Sequence, residues 1–464
     1  MNDIDRKYDK IKDYFENKNR MSLDFKISQI ANLEKNLKKY EDEIYQALQK
    51  DLNKSKTESY MTEFSVVIEE IKSIKKNIHK ILKTKKSFPA LSQLPASLKI
   101  IREAYGSVLI VSPWNYPLVL SISPLVAAIA GGNTCLLKLS DYSKNISELI
   151  SKICYESFED GLVEVVIGGR NENEIIFGKK FDYIFFTGSP NLGKIVMSKA
   201  AENLTPLTLE LGGKSPCVVE KTADIQKTAK RIAFGKLINS GQTCVAPDYI
   251  YAQRDIKAEL IDSIINEINI SIPSINYFKN DFGKIINKNH FDRLFSLIDE
   301  NKLIDIPGKK YPDDYIFPDL NKIHPLLIEE SDHESQLMNE EIFGPIFPIL
   351  EWKCESDLFE GLKRHEKPLA MYIFTNDKSF TDNLLSNVDS GGVCINDTLI
   401  HMASSKAPFG GVGNSGLGNY HGKWSLKTFT RERTILKKWW KFDIKYRYQP
   451  YSDEIFNILK KLLK

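Results

Sequence analysis

The chain has 464 residues, of which 42% are hydrophobic and 27% are charged, and its net charge is +3. That length exceeds one ordinary hydrophobic core, so we expect two or more domains with the composition of a globular protein. The small net charge gives no general case for nucleic acid or an acidic surface as partner.

The cysteines and histidines argue for a reduced protein without a metal site. None of the six cysteines forms a C-x-x-C pair, and the seven histidines do not fall at zinc-ligand spacing near them. We therefore predict free thiols, no bound metal and a cytoplasmic location. The first ten residues are charged and lack an apolar core, so they do not resemble a signal peptide.

Residues 1 to about 85 show helical periodicity. Apolar residues recur three and four positions apart in two runs, Leu23, Ile27, Ile30, Leu33, Leu37 and Ile68, Ile71, Ile74, Ile78, Ile81. We predict two or three long helices packed on a larger body, with their lysines and glutamates on solvated faces.

Two apolar segments far apart in sequence are predicted to be extended. Phe88 to Ile101 is short and punctuated by prolines, and Thr434 to Trp440 has a β-like composition. Such strands pair with each other or with a second subunit, although two ordinary edge strands explain the pattern equally well.

No charged residue occurs between Glu103 and Lys138, a length that could suggest a membrane span. Pro113, Pro117 and Pro124 interrupt this stretch, so a buried strand, turn and helix fit better than a helix in lipid.

Strand-like and helix-like runs alternate between Ser107 and Glu210. This alternation is typical of βαβ units in a parallel, nucleotide-binding sheet, whose ligands bind at the carboxyl ends of the strands. The predicted runs are strands at 108–111, 134–138, 163–167 and 183–186 and helices at 118–130, at 146–155 and from Leu192 onward.

The loop from Thr187 to Lys194 fits neither common phosphate motif. Gly188 to Lys194 has G-x-x-x-x-G-K spacing, but Ile195 replaces the Ser or Thr that would hold magnesium, and Pro190 breaks G-x-G-x-x-G. A Gly-Ser turn before a helix N-terminus remains, which suits an anionic phosphate. A plain tight turn explains the loop equally well.

Cys244 lies in the polar run Asn239 to Pro247, where a structural cysteine is uncommon. A thiol on a loop beside a helix end loses its proton more readily, and the thiolate is the nucleophile. The competing interpretation is an unreactive cysteine without a catalytic role.

The glycine-rich loop Pro408 to Gly418 is predicted to wrap a site or a subunit contact.

These segments together resemble the NAD(P)-dependent aldehyde dehydrogenase superfamily from about Tyr105 to His421. The short N-terminus and the run Gly416 to Gly422 look most like the class 3 branch, which is usually dimeric. The motifs that carry the resemblance are Pro113-Trp-Asn-Tyr-Pro117, Gly132-Asn-Thr with Lys138, Phe186-Thr-Gly-Ser189 with Gly193, Glu210-Leu-Gly-Gly-Lys-Ser-Pro216, Gly241-Gln-Thr-Cys244, Glu341-Ile-Phe-Gly-Pro345 and Pro408-Phe-Gly-Gly411.

The resemblance implies an α/β fold with a Rossmann-type cofactor domain, an α/β catalytic domain and a small β oligomerisation arm. The expected boundaries are 1–86 and 106–212 for the cofactor domain, 213–422 for the catalytic domain, and 87–105 with 423–445 for the arm. The resemblance also implies oxidation of an aliphatic or aromatic aldehyde to its carboxylate. A homodimer with this small-molecule substrate, no nucleic acid and no transmembrane segment is expected.

The family match assigns the chemistry to three residues. Cys244 matches the nucleophile, Asn115 the side-chain donor to the oxyanion and Glu210 the base that activates water for hydrolysis of a thioester. Each has an ordinary alternative: Asn115 could cap a helix starting at Pro117, and Glu210 could be a surface residue at a strand end.

The match also assigns the cofactor contacts. Lys138 resembles the lysine that bonds the adenosine ribose, and Asp141 stands where an acid would accept from a ribose 2′-OH, which favours NAD and leaves NADP possible. The remaining expected contacts are Trp114, Gly188, Ser189, Gly193, Leu211, Glu341 and Phe343.

Two segments depart from the family pattern, and three other functions compete with this interpretation. Lys138-Leu-Ser140 replaces the common Lys-Pro-Ser, and the basic amphipathic tail Ile455 to Lys464 either packs as a terminal helix or lies on an anionic surface. The rival functions are a CoA-acylating relative, a non-catalytic nucleotide-binding protein of the same fold, and a cysteine hydrolase that needs a histidine near the thiol. Substrate selection is expected from loops around Tyr60–Met61 and Ile400–Ser405.

Overall fold

The computed structural model describes residues 2–17, 21–443 and 445–462, so Leu463 and Lys464 of the predicted tail lie outside it. The helices are α1 (Asp3–Asn17), α2 (Leu23–Lys39), α3 (Glu41–Leu52), α4 (Lys56–Ser59), α5 (Ser65–Leu82), α6 (Val119–Gly131), α7 (Lys144–Ser157), α8 (Arg170–Phe177), α9 (Pro190–Glu202), α10 (Ile225–Leu237), α11 (Lys257–Ser271), α12 (Ile275–Asn280), α13 (Lys288–Ser296), α14 (Gln336–Asn339), α15 (Glu355–Lys363), α16 (Lys378–Asn387), α17 (Lys423–Thr428) and α18 (Asp453–Leu462).

Within the described ranges, the strands form four sheets. They are β1 (Lys85–Ser87), β2 (Ala96–Ala104), β3 (Ser107–Val111), β4 (Thr134–Ser140), β5 (Val163–Gly168), β6 (Tyr183–Thr187), β7 (Leu207–Glu210), β8 (Pro216–Val219), β9 (Tyr249–Gln253), β10 (Leu303–Ile304), β11 (Ile316–Phe317), β12 (Lys322–Ile323), β13 (Leu326–Glu329), β14 (Ile346–Trp352), β15 (Ala370–Phe374), β16 (Gly392–Ile395), β17 (Gly416–Leu417) and β18 (Thr430–Lys438).

The first large sheet has the order β17-β7-β6-β3-β4-β5, parallel except for β17. Its central strands read as continuous apolar runs because both faces are covered. Val108 and Ile110 pack into the core on one face, and Leu109 and Val111 into the core on the other. The predicted alternation of strands and helices between Ser107 and Glu210 is confirmed.

The second large sheet has the order β10-β13-β14-β9-β8-β15-β16, with only β10 antiparallel to its neighbour among these described strands. Residues 211–215 connect it to the first sheet, directly after β7. The polar run around Cys244 leads into β9. The ends of two parallel sheets therefore meet near Glu210 and Cys244.

A three-stranded antiparallel sheet, β1-β2-β18, forms an arm. Its long pair runs from Thr430 opposite Ala104 to Lys438 opposite Ala96. The two apolar segments predicted to be extended therefore pair with each other within one chain.

The N-terminal helices pack on the first sheet, as predicted, but not all of their charged residues are solvated. Lys54, Glu63 and Glu70 are buried. The prediction of wholly solvated charged faces is wrong at these positions because each group has a specific partner: Lys54 pairs with Glu63, and Glu70 accepts from Gly422. No helix in the described ranges is long and apolar enough to cross a membrane.

Candidate active site

The loop before Cys244 holds an unusual backbone. Asn239, Ser240 and Gly241 have φ values of 51, 52 and 74°, which places consecutive residues in the left-handed region. A Cβ on Gly241 would lie 2.3 Å from the carbonyl oxygen of Gly344, so glycine is required there. Such strain persists only where surrounding contacts impose it.

Gln242 supplies several of those contacts. Its amide nitrogen donates to the carbonyl oxygens of Asn239 and Lys284, both at 2.9 Å. Its side-chain oxygen accepts from the backbone amide of Ile286 at 3.0 Å. The Gln-Thr-Cys motif thus anchors the loop to a neighbouring segment and fixes the position of the thiol.

Asn115 lies against this loop and is 3% exposed. Its side-chain amide donates to the carbonyl oxygen of Gln242 at 3.1 Å. Its own carbonyl oxygen accepts from Lys54 Nζ and Asn239 Nδ2, both at 2.9 Å. The interpretation of Asn115 as a helix cap is wrong, because α6 starts at Val119 and has no side-chain cap.

Glu210 ends β7 and is 3% exposed. Neither carboxylate oxygen has a hydrogen-bond partner among the described residues. Burial raises the pKa of Glu210 well above its ordinary 4.5. The interpretation of Glu210 as a surface residue is therefore wrong.

The Cys244 thiol is not acidified by a helix end. It lies in a turn between a 3₁₀ turn, Ile238–Gly241, and β9. Burial raises the pKa of Cys244 to about 12, and the Glu341 and Glu210 carboxylates add to the effect. The expectation of a readily ionised thiol is wrong, because burial and two nearby carboxylates disfavour the thiolate.

One cavity of about 320 Å³ brings most of the predicted site together. It is lined by Cys244, Glu210, Asn115, Trp114, Gly188, Ser189, Leu211, Glu341 and Phe343. Lys138, Asp141 and Gly193 do not line it. A Cβ on Gly193 would lie 2.7 Å from Leu211 Cδ2, so this glycine allows α9 to approach the cavity wall.

Glu341 extends toward the linker that follows β7. A Cβ on Gly212 would lie 2.0 Å from Glu341 Oε2. Burial and the nearby Asp248 charge raise the pKa of Glu341 to about 8. Asp248 fixes this segment by accepting from the Ile342 amide at 3.0 Å, and Lys214 Nζ donates to Asp248 at 2.6 Å.

The cavity also contains residues that sequence reasoning missed, His290 and Arg293 on α13 and Glu340. The Trp114 ring lies 5.1 Å from His290 and 5.5 Å from Phe343. Arg293 donates to the carbonyl oxygen of Ile342 at 2.5 Å. The amphipathic spacing of residues in α13 predicts a helix. This spacing does not indicate which end of which sheet the helix covers.

His290 bears on the cysteine hydrolase alternative, because it shares the cavity with Cys244. Its ring packs against Trp114 and Tyr142, with centroids 5.1 and 6.3 Å away. Burial and the adjacent Arg293 lower the pKa of His290. The ring is thus placed among aromatic side chains, whereas the carboxylates of Glu341 and Glu210 are the groups that act electrostatically on the thiol.

The end of β6 and the N-terminus of α9, which lie next to each other in the chain, suit the binding of a dinucleotide. Ser189 caps α9 by accepting from the Leu192 amide at 3.4 Å, and Pro190 occupies the first helical position. Lys138 is 5% exposed, and its ammonium has no hydrogen-bond or ion-pair partner in the described part of the chain. A buried cation without a partner fits a hydroxyl-rich ligand such as ribose.

Two acids lie near Lys138. Asp141 approaches Gly169, where a Cβ would lie 2.7 Å from its Oδ2. Glu172 accepts from the Gly169 amide at 2.8 Å, and this bond lowers the pKa of Glu172. Both carboxylates act electrostatically on Lys138. Asp141 was predicted; Glu172, on α8 beyond β5, was not.

Comparison with known proteins identifies the family of this chain. The chain matches the aldehyde dehydrogenase family over residues 1–435. It belongs to that family. As an aldehyde dehydrogenase, it is an oxidoreductase that uses a nicotinamide dinucleotide. The predicted family and activity are confirmed.

Individual relatives match this aldehyde dehydrogenase along nearly its whole length. The 4,4'-diaponeurosporen-aldehyde dehydrogenase of Staphylococcus aureus is 39% identical over 464 residues, covering 100% of both chains. Aldehyde dehydrogenase family 3 member B1 of Bos taurus is 38% identical over 438 residues, covering 94% of this chain and 92% of its own. The predicted likeness to class 3 is confirmed.

A solved structure gives the same result for the fold. The substrate-bound state of Staphylococcus aureus AldH superposes with a TM-score of 0.94 at 38% identity, with 100% of each chain covered. The predicted α/β fold of the aldehyde dehydrogenase type is confirmed.

A second cavity of about 760 Å³ in this aldehyde dehydrogenase is lined by Tyr60, Met61, Phe64 and Ala403. Tyr60–Phe64 is a π-helical turn between α4 and α5, a feature that often marks functional sites. Glu58, on α4, accepts from the backbone amide of Asn239 at 2.8 Å. Tyr60 and Met61 from one region expected to select substrate, and Ala403 from the other, thus line one cavity.

Proposed function

We propose that this aldehyde dehydrogenase oxidises its substrate through a covalent intermediate on Cys244. The sulfur adds to the carbonyl carbon, the thiol proton leaves, and the carbonyl oxygen becomes an oxyanion. One amide hydrogen of Asn115 bonds Gln242, which leaves the second for this oxyanion, together with the backbone N–H of Cys244. Loss of one such donor raises the barrier by about 3 kcal/mol.

A nicotinamide bound in this cavity would supply the hydride acceptor. Loss of hydride leaves a thioester on Cys244, which water must hydrolyse to release the carboxylic acid and the thiol. The observation that carries this proposal is the buried, unpaired carboxylate of Glu210 in the same cavity as Cys244. Its raised pKa allows Glu210 to accept a proton from the attacking water.

Glu210 also accounts for activation of a weakly acidic thiol. With a pKa of about 12, raised chiefly by burial, the Cys244 thiol is almost entirely protonated near neutral pH. A base must therefore receive its proton as the sulfur attacks. We assign this step to Glu210 as well, because its charge is among those that act on the thiol. Glu210 then has to release this proton to solvent before it can accept one from the water that hydrolyses the thioester.

We propose NAD rather than NADP as the preferred cofactor. Lys138 would bond the adenosine ribose, and Asp141 and Glu172 place two carboxylates near it. A 2′-phosphate in that position would face like charge. Ser189 and the Gly188–Gly193 turn would receive the pyrophosphate at the N-terminus of α9, and Glu341 would hold the second ribose, with Phe343, Trp114 and Leu211 lining its pocket.

We propose a long apolar aldehyde as substrate. The Staphylococcus aureus relative is named for a diaponeurosporen aldehyde and aligns over the full chain. Tyr60, Met61 and Ile400 are exposed apolar side chains in the two regions expected to select substrate. An apolar entrance gains free energy by covering an apolar chain.

We also propose a homodimer in the cytoplasm, with the domain boundaries given by the family match. The outer edge of β18 has no strand partner among the described residues, which supports pairing with a second subunit. All six cysteines are free, which supports a reducing compartment.

The test is formation of NADH from a panel of aldehydes, with and without CoA. NADH with free acid as product in the absence of CoA is the expected result. Signal only with CoA would transfer the chain to the acylating class, and cofactor binding without turnover would support a non-catalytic role. Cys244→Ala should retain cofactor binding without oxidation, and Glu210→Gln should give one rapid turnover followed by slow release of acid.

A further inference from the structure

One face of α5 lines two cavities, one after the other. Positions three and four residues apart place a row of side chains on this face, namely Ser65, Glu69, Lys72 and Lys76. The row spans about 16 Å, at roughly 1.5 Å per residue. Its first part lines the cavity of about 760 Å³ described above, and its last part lines a further cavity of about 460 Å³.

The two cavities adjoin. Glu69 and Lys72 line both of them, and a loop distant in sequence contributes Ala403 to the first and Lys406 to the second. The cavities therefore form one groove along α5. The groove begins at the Tyr60–Phe64 turn, and the preceding helix α4 bonds the loop that carries the thiol.

The first part of the groove is mainly apolar. Its walls include Tyr60, Met61, Phe64, Val66 and Ile68. The two charged residues that line only this part are both paired. Lys38 donates to Glu34 at 2.6 Å, and Glu41 accepts from Tyr45 at 2.6 Å. This part is therefore suited to the chain of an apolar aldehyde.

The second part of the groove is basic. Four lysines from three separate elements line it: Lys72 and Lys76 from α5, Lys406 from the loop and Lys423 from α17. Glu69 is the only acidic side chain among the described residues that line this part. None of the four lysines has an ion-pair partner in the part of the chain that the structure describes, whereas the adjacent Lys75 pairs with Glu34 at 3.0 Å. The groove thus ends in positive charge that the described residues do not neutralise.

The fold holds these lysines close together. Lys72 and Lys76 are one helical turn apart, a spacing at which like charges repel each other. The Gly422 amide donates to Glu70 of α5 at 2.8 Å, which fixes the start of α17, and with it Lys423, beside this helix. An anion placed among these ammonium groups would relieve their repulsion.

We propose that the basic part of the groove binds an anionic group at the far end of the substrate, a carboxylate or a phosphate monoester. The substrate class is then a long apolar aldehyde with an acidic group at its other end, and this assignment rests on the oxidation proposed above. The apolar chain lies along the first part of the groove, where its burial removes apolar surface from water, and the charged end reaches the lysines.

The experiment compares the oxidation of three aldehydes of equal chain length, which end in a carboxylate, a phosphate monoester or the methyl ester of the carboxylate. At low ionic strength, at least one charged aldehyde should have a kcat/KM about tenfold above that of the ester. This ratio should fall toward unity at high salt, because salt screens the charges of exposed lysines. The two charged aldehydes together show which anion the site prefers.

Lys72→Gln with Lys406→Gln should remove most of this preference and leave a ratio of about two or less. Lys363→Gln with Lys378→Gln is the matched control, because it removes the same charge from two exposed lysines outside the groove. The control should keep the ratio of the parent chain. Thermal midpoints equal to that of the parent would show that both double variants are folded.

Binding measured without turnover separates this inference from the proposed function. Cys244→Ala, titrated by calorimetry, should bind the preferred charged aldehyde more tightly than the ester, and adding Lys72→Gln with Lys406→Gln should abolish that difference. If the parent oxidises none of the aldehydes but this difference in binding is found, the proposed oxidation fails and the anion site stands. Oxidation of all three aldehydes with equal kcat/KM, or an equal preference in the groove variant and the control, would overturn the inference.

Discussion

The buried ion pair between Lys54 and Glu63, which lies against the 114–118 loop, is predicted to hold Asn115 in place. Lys54 Nζ lies 2.7 Å from Glu63 Oε1, and both side chains are 0% exposed. Lys54 also donates to the carbonyl oxygen of Asn115 at 2.9 Å, and its ammonium lies 3.9 Å from the ring centroid of Tyr116. Glu63 accepts from the Leu118 amide at 2.8 Å.

The magnitude follows from this geometry. Two unit charges at the observed 2.7 Å attract by about 6 kcal/mol at an effective dielectric constant of about 20. Desolvation of the two groups offsets several kcal/mol of that attraction. Lys54→Met removes the attraction but leaves the Glu63 carboxylate buried without its cation, so the free energy of unfolding should fall by about 3–5 kcal/mol.

The assay is urea unfolding of Lys54→Met, Glu63→Gln and the double variant, analysed as a double-mutant cycle. The double variant should recover about 2 kcal/mol or more relative to Lys54→Met, because no unpaired charge remains and glutamine still accepts from Leu118. Its kcat should nevertheless fall, since Asn115 has lost one of the donors that fix its backbone.

Lys56→Met is the matched control. Lys56 is two residues away and forms an ion pair with Asp42 at 2.8 Å, but both side chains are exposed. No measurable loss of stability is expected from this variant. A loss below about 1 kcal/mol for Lys54→Met, or a double variant no more stable than Lys54→Met, would refute the reasoning.

Further predictions concern the cofactor and the loops around it. Asp141→Asn should raise the efficiency with NADP relative to NAD by about tenfold, measured as the ratio of kcat/KM values; an unchanged ratio would remove Asp141 from the ribose site. The pKa of Glu341 is raised from 4.5 to about 8 in the folded chain, so between these pH values the folded state keeps a proton on Glu341 that the unfolded state has lost. The stabilisation that comes from this proton is present at low pH and is lost as the pH rises toward about 8. Glu341→Gln should therefore lose less stability than the parent between about pH 5 and about pH 9 in urea titrations, and parallel losses would contradict the assignment. Gly212→Ala should weaken NAD binding, followed by calorimetry, with little loss of stability, because its Cβ would meet the movable end of Glu341 at 2.0 Å. Gly241→Ala should destabilise the fold by about 2 kcal/mol or more, since its Cβ would meet the Gly344 carbonyl oxygen at 2.3 Å; a thermal midpoint like that of Gly212→Ala would show that the loop can relax.

The sequence predicted the site residues that stand in short motifs. It did not predict the residues that distant helices and loops place beside them. Cys244, Glu210 and Asn115 stand in recognisable motifs on strand ends and loops, and the structure gathers them in one cavity. Lys54 and Glu63 belong to the charged N-terminal region, whose lysines and glutamates are predicted to be solvated. Only their packing under the 114–118 loop makes them buried, and no periodicity carries that information.

The acidity of the thiol could not be predicted from the sequence either. The polar residues before Cys244 indicate a loop, but the pKa depends on which charges the fold places around the sulfur. Glu341 is far away in sequence, and its carboxylate acts on Cys244 because both groups line one cavity. The same reasoning applies to Glu172, whose proximity to Lys138 depends on the β4–β5 pairing.

The pairing of β17 with β7 determines when, during synthesis of the chain, the surroundings of Glu210 can form. Gly416 lies opposite Glu210, and the Leu211 amide donates to the carbonyl oxygen of Ser415 at 3.1 Å. The strand that carries the proposed base therefore keeps an open edge until residues near 416 have left the ribosome. A nascent chain lacking them could form the parallel strands of the first sheet but not the environment of Glu210, so the chemistry proposed for Glu210 has to wait until residues near 416 have been synthesised.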